Sequence, residues 1–361
     1  MARLPGSPPR HLTYNHQASI CFIIVIPRYS RVIHKDLDLT IQRAHETLQY
    51  VPTSYRANAT MLMLCRNKEI EGVVSTIRQI EDRFNYKYAY PWVLLNDEPF
   101  SDDFKARVSV LTDAPIHFGY IPPAIWNQPE WINETRAEQG RQHLLDLDVI
   151  YGGSVPFNSG FFYRHPLVQP YRYYWRPNVD YFCDLSYDPF TYMEVSKKVY
   201  GFTLSLPEYE ETVKSLWPTV KEFINEYPQY LHPDNALAWL SADGGDTYNM
   251  CHFWSNFEIA DMDFWRGEAY TKFFDYLEMK GGFYYERWGD APVHSIAVAL
   301  FAPKDSIHYF YDIGYRHEDF YHCPGDSTWA TGRCSCLKGT SFNGRPAACT
   351  NSLVKIASSL Y

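Results

Sequence analysis

The sequence predicts an α/β fold whose first half carries a parallel sheet of the Rossmann-like, nucleotide-binding type. Three features lead there: apolar runs of strand length, helical periodicity between them, and the order in which they alternate. "ATMLMLCRN", "PWVLLND" and "PIHFGYI" read as buried strands. Between the first two, "EIEGVVSTIRQIEDRF" places Ile70, Val73, Val74, Ile77 and Ile80 at helical spacing. Between the second and third, "SDDFKARVSVLTD" opens with Ser101 and two aspartates in the zone that caps a helix. A βαβαβ order implies parallel strands with ligands beyond their carboxyl ends. Those ends carry Arg66-Asn67 and Asn96-Asp97. Arg66 offers forked donors to a diphosphate or base, or else pairs on the surface with Glu69. No Gly-rich loop follows the first strand, which argues against a dinucleotide oxidoreductase and a P-loop enzyme.

The second half is less regular. "PEWINETRAEQGRQHLLD" reads as a helix, "YFCDLSYDPFTYMEV" as a strand pair and "VYGFTLSL" as one strand. "PEYEETVKSLWPTVKEFINEYP" reads as a long amphipathic helix with Pro207 near its first turn. "GEAYTKFFDYLEMKGG" and the small-residue "SIAVALFA" follow as helices, separated by a turn in "ERWGDAPVHS", and "IHYFYDIGYRH" is strand-like. Residues 1 to about 50 read as a weakly structured lead-in or stem, and no internal repeat is visible.

With 361 residues, 46% of them hydrophobic, the chain can build a substantial core. Its net charge of −9 argues against a sequence-independent nucleic-acid binder, which must neutralise phosphates, and an anionic ligand would need a local basic pocket. The 30 Tyr, 22 Phe and 10 Trp suit a sugar-binding surface as well as a Tyr-rich core. Cys323, Cys334, Cys336 and Cys349 crowd the end of the chain, while Cys21, Cys65, Cys183 and Cys251 are scattered. That clustering suggests disulfide stapling in an oxidising compartment; the competing zinc knot at Cys334 and Cys336 lacks paired CxxC motifs. Asn133 in "NET" is an accessible glycosylation acceptor, whereas Asn58 in "NAT" begins a strand expected to be buried. The N-terminal apolar run "ASICFIIVI" is about half the length of a membrane crossing and lacks signal-peptide flanks, so no anchor is expected from it.

Glu258 in "YNMCHFWSNFEIADMDFWRG" draws attention because a carboxylate among Phe253, Trp254, Phe257 and Phe264 needs partners or a task. It suits a nucleophile or base at a sugar carbon, or else an edge-strand Glu capped by Asn256. Asp290, beside Arg287 and Trp288, either caps a helix or holds sugar hydroxyls. His317, near Glu318 and Asp319, could bind a divalent ion, though a lone histidine is more often structural. His252 reads as structural. The absence of HExxH and GxSxG gives zinc proteases and α/β-hydrolases little support.

"YPWVLLNDEPF", "VIYGGS", "FNSGFF", "YYWR", "CHFWSNFEIADMDFWR", "GGFYYERWGDAPVHSIAVALF" and "IGYRHEDFYHCP", in order over residues 50 to 336, resemble the fungal Golgi α-1,2-mannosyltransferases of glycosyltransferase family 15. The resemblance implies a GT-A-like fold with a mixed sheet, spanning residues 51–336 as the catalytic domain and leaving 337–361 as a divergent tail. It also implies GDP-mannose as donor, Mn²⁺ as cofactor, a mannose-terminated glycoprotein glycan as acceptor, and retaining transfer to a 2-hydroxyl in the Golgi lumen. By motif, Glu258 becomes the nucleophile or front-face stabiliser, His317 the metal ligand, and Arg66 part of the GDP pocket. Arg176, Trp254 and Asp290 face the acceptor.

Two departures from the family pattern stand beside this site. A segment resembling "SYRNMCR", with a Tyr and an Arg near the donor, is reduced to Val155-Pro156. The family's acidic Glu-Pro-Asp is replaced within "RPNVDYFCD", where Asn178 stands for the Asp and Asp180 is a nearby substitute. These contractions predict a weakened enzyme or, alternatively, a non-catalytic relative that binds mannose or GDP.

Overall fold

The computed structural model describes residues 46–147, 156–178 and 180–358. The "ASICFIIVI" run, the "VIYGGS" motif and Val155 lie outside them. No described helix is long and apolar enough to cross a membrane.

The chain begins with β1 (Ala59–Leu64), α1 (Ile70–Arg83), β2 (Trp92–Asn96), α2 (Asp102–Ser109) and β3 (Ile116–Tyr120). β1 pairs parallel with β2, and β2 with β3, as the βαβαβ order requires. α1 buries Val73, Ile77 and Ile80 along one stripe, the spacing that made it legible. The Ser101 side chain accepts from the Phe104 N–H at 3.1 Å and so starts α2.

Of the later elements, those that frame the site are α3 (Glu134–Asp146), β4 (Tyr173–Arg176), β5 (Asp180–Tyr181), α4 (Pro189–Val195), β6 (Tyr200–Phe202), β7 (Ser205–Pro207) and α5 (Leu216–Glu226). After them come β8 (Cys251–Phe253), β9 (Glu258–Asp261), α6 (Met262–Arg266), α7 (Glu268–Lys280), α8 (Asp290–Phe301), β10 (Ile307–Tyr309), β11 (Tyr315–His317) and β12 (Phe320–His322). β4 joins β1 in parallel and β9 in antiparallel fashion, giving a mixed sheet of seven strands in the order β10-β6-β9-β4-β1-β2-β3. Alternation along these strands feeds two cores. Leu62, Val93, Tyr174, Tyr200 and Ala260 face α5, α7 and α8, whereas Met61, Leu94, Trp175 and Ile259 face α1, α2 and α4.

Several expectations are corrected. The stretch 181–195 is not a strand pair: Asp188 accepts from the Phe190 and Thr191 N–H groups with Pro189 at the first helical position, which makes α4. "VYGFTLSL" splits into β6 and β7, in different sheets. Pro207 ends β7, and the helix begins only at Leu216. Asn58 is exposed just ahead of β1, with its side-chain amide donating to the Pro170 carbonyl. Asn133 is exposed as expected, and its side chain caps α3.

The expected disulfide stapling is found, in place of the competing zinc knot. Cys334 and Cys336 are bonded to Cys183 and Cys323, and Cys349 to Cys251. Two scattered cysteines therefore tie the late cysteine cluster to the body of the fold. The Cys251–Cys349 bridge closes a separation of 98 residues and anchors β8 three residues before Trp254. Replacing both cysteines by serine is expected to cost about 2–5 kcal/mol, read as a lower urea midpoint, with a larger m-value because the unfolded chain loses a crosslink.

Candidate active site

β9 is an interior strand, so Glu258 is not at a sheet edge, and Asn256 is not its partner. On β9 the alternation turns Glu258 and Ala260 toward α8, with Ile259 on the opposite face. The register sets Arg176 of β4 directly opposite Glu258. Tyr174, two residues earlier on the same strand face, donates its hydroxyl to Glu258 Oε1 at 2.7 Å. Tyr200 of β6 donates to Oε2 at 3.0 Å, and His294 Nδ1 of α8 lies 3.0 Å from the same oxygen. Arg176 approaches Oε1 at 3.9 Å. The Glu258 side chain is only 1% exposed, so these groups replace its water.

Asp290 begins α8, but no side chain caps that helix, and its carboxylate turns instead to Arg176 and to the Ser255 hydroxyl at 2.8 Å. Burial works against its charge, but Arg176, His294 and Ser255 outweigh it and hold the carboxyl at about 2, from an ordinary 3.8. The same carboxylates raise Arg176's affinity for its proton against the burial that opposes it. One guanidinium therefore bridges two acids.

Trp254 follows β8 and meets the His317 ring edge-on at 5.0 Å between centroids. Burial lowers the proton affinity of His317; Glu318 opposes this and the Arg176 charge adds to it. Its Nδ1 is buried without a hydrogen-bond partner, so a neutral imidazole with an uncommitted nitrogen is available, as a metal ligand requires. Among the described residues no cluster of three His, Cys, Asp or Glu could hold a metal by itself. Asp180, the nearby acid, is committed to Arg316 and to Gln79, the latter at 3.2 Å.

A narrow pocket of about 20 Å³ runs from Leu62 and Leu64 on β1 past Asn158 and Phe162 to Tyr174, Arg176 and Glu258. Arg66 lies two residues beyond Leu64, half exposed, with its Nε 3.8 Å from Asp97 Oδ1. Glu69 accepts from the Arg66 backbone N–H instead of its guanidinium. The structure thus unites Glu258, Arg176 and Asp290, sets Trp254 against His317, and leaves Arg66 at the β1 end of the pocket. Trp288 is buried beside Phe283.

A sequence model described as Glycolipid 2-alpha-mannosyltransferase matches residues 33–358. The chain belongs to that family. The O-glycoside alpha-1,2-mannosyltransferase omh1 of Schizosaccharomyces pombe is 49% identical to this family 15 chain over 308 residues, 83% of the chain and 79% of that relative. Alpha-1,2 mannosyltransferase KTR1 of Saccharomyces cerevisiae is 44% identical over 339 residues, 91% of the chain and 86% of that relative. Core-mannan synthase A of Aspergillus fumigatus, solved in a Mn/GDP form, superposes with a TM-score of 0.77 at 40% identity, covering 83% of the chain and 85% of its own. The mannosyltransferase Ktr4p of S. cerevisiae in complex with GDP gives 0.79 at 36% identity, covering 88% and 91%. The GT-A-like fold is thereby established for this family member.

Tyr174, Tyr200 and His294 were not singled out from the sequence. A signal existed for two of them: Tyr174 precedes Arg176 by a strand repeat, and His294 follows Asp290 by one helical turn. Because Asp290 is depressed in the folded state, its contribution to stability is present above about pH 4 and lost as pH falls toward 2. Acid unfolding of Asp290→Asn should lack an increment of about 2 kcal/mol that the parent chain loses over that window.

Proposed function

We propose that this chain transfers mannose from GDP-mannose to the 2-hydroxyl of a mannose on a protein-linked glycan, with retention of configuration. The observation that carries the reading is the buried Glu258 carboxylate facing a pocket at the carboxyl end of β1, joined through Arg176 to Asp290. Family membership supplies the donor and acceptor classes, and residues 51–336 the catalytic unit.

In this reading Glu258 places negative charge beside the anomeric carbon, as nucleophile or as stabiliser of an oxocarbenium-like transition state. Asp290, kept ionised by Arg176, accepts a hydrogen bond from an acceptor hydroxyl, and Arg176 donates one. Trp254 gives the acceptor ring an apolar wall. Arg66 binds on the donor side, where its planar fork matches phosphate. His317 would hold Mn²⁺, which neutralises charge on the departing diphosphate. The uncommitted nitrogen of His317 supports that role.

The donor side is leaner than the family pattern. Pro177-Asn178 stands where the acidic triplet is expected, and Asp180 is occupied by Arg316 and Gln79. A slower enzyme is the consequence, since less negative charge surrounds the cation. The disulfides fit an oxidising secretory compartment such as the Golgi lumen.

Incubation of the purified chain with Mn²⁺, GDP-mannose and methyl α-mannoside should yield an α-1,2-linked disaccharide. Glu258→Gln should lower its formation by about a hundredfold or more, and His317→Ala should weaken Mn²⁺ binding in the presence of GDP, read by calorimetry. Acceptor binding without any turnover in the parent chain would favour the non-catalytic alternative.

A further inference from the structure

His294 lies fully buried on α8, one turn after Asp290. Its Nδ1 stands 3.0 Å from Glu258 Oε2, and its Nε2 stands 3.3 Å from the Ser159 carbonyl oxygen. Both neighbours are hydrogen-bond acceptors. A neutral imidazole carries one N–H and one lone pair, so it would aim a lone pair at one of these oxygens where water does not reach. A ring protonated on both nitrogens satisfies both contacts. The carboxylate's other contacts come from Tyr174, Tyr200 and Arg176, all of which serve its ionised form.

We propose that His294 is the positioning residue of Glu258, an imidazolium that pins Oε2 and leaves Oε1 as the oxygen that faces the sugar. This rests on the assignment of Glu258 as the carboxylate at the anomeric carbon. The partners of the two oxygens separate them. Oε1 receives Tyr174 and faces Arg176, and both of these line the pocket. Oε2 receives Tyr200 and His294, and neither lines it.

The ring has little freedom to turn. Trp265 stacks on it at 4.3 Å, with 26° between the planes. On its far side the segment Phe157–Phe161 forms a single π turn, and the Ser159 carbonyl there accepts from the Tyr270 hydroxyl as well as from His294. The charged and titratable groups around the ring are Glu258 of β9, Asp290 of α8 and Tyr270 of α7, with Arg176 and Tyr174 of β4 and Tyr200 of β6 gathered on the same Glu258 carboxylate. With His294 charged, two carboxylates meet two cations, and the desolvated site needs no further counterion.

Two measurements test this. In the full chain labelled with ¹⁵N-histidine, the His294 ring is assigned by its loss in His294→Gln. Both of its nitrogens should be protonated over the pH range of activity; a bare ring nitrogen overturns the proposal. In kinetics, folded His294→Gln should lower kcat for mannosyl transfer by about 10- to 100-fold while KM for GDP-mannose changes less than about twofold. An unchanged kcat overturns the proposal even if Glu258→Gln is inactive. Full activity of Glu258→Gln would remove the underlying assignment and this inference with it. If His294→Gln does not fold, the His294 ring is assigned by through-bond correlation to its own backbone in the parent chain, and the protonation state found there decides.

Discussion

A carboxylate taken out of water costs several kcal/mol unless other groups replace its hydration. Glu258 is buried, and its hydration is replaced by two tyrosine hydroxyls, an imidazole and a guanidinium that come from three separate elements, β4, β6 and α8. Each of those elements must be in register for the carboxylate to be tolerated. The same condition that makes Glu258 expensive to bury therefore makes the surrounding sheet and α8 a fixed frame. Removing one partner is more damaging than the loss of one contact suggests, because it leaves a charge uncompensated.

The sheet supplies the frame through its change of direction. β1, β2 and β3 run parallel and carry the pocket to their carboxyl ends, while β9 runs antiparallel to β4 and returns Glu258 to that same end. Arg176 closes the arrangement by lying opposite Glu258 in the ladder and meeting Asp290 from the start of α8. Acid groups on a strand and on a helix are thus coupled through one cation. Burial, with the Arg176 charge adding to it, lowers the proton affinity of His317 and favours the neutral ring, the state that can donate a lone pair to a metal.

Much of the first half was legible because its signals are local. The α1 stripe and the Ser101 cap each declare themselves within a few residues, and the βαβαβ order follows from them. The second half was harder because short strands of two to four residues carry too little periodicity to separate from their neighbours. "VYGFTLSL" looks like one strand because both halves are buried, and only the change of sheet between Phe202 and Ser205 divides it. Glu258 stood out because an acid among aromatics is unusual. His294 did not, since a histidine in a helix as apolar as "DAPVHSIAVALF" reads as core filling until its two acceptors are located in space. Arg66 was legible as a strand-end arginine, but its pairing with Asp97 across neighbouring strand ends is a tertiary fact.

The bond between Cys251 and Cys349 spans 98 residues, and β8 leads directly to Trp254 and Glu258. During synthesis the first sulfur emerges about 5–20 s before the second at ordinary elongation rates. For that interval the antiparallel pair of β7 and β8 is made without its covalent lock, while Cys183 is also waiting for Cys334. The wall beside the Glu258 pocket is therefore among the last parts of the molecule to be fastened, and until their proper mates arrive Cys183 and Cys251 have to be kept from joining each other or the earlier Cys21 and Cys65.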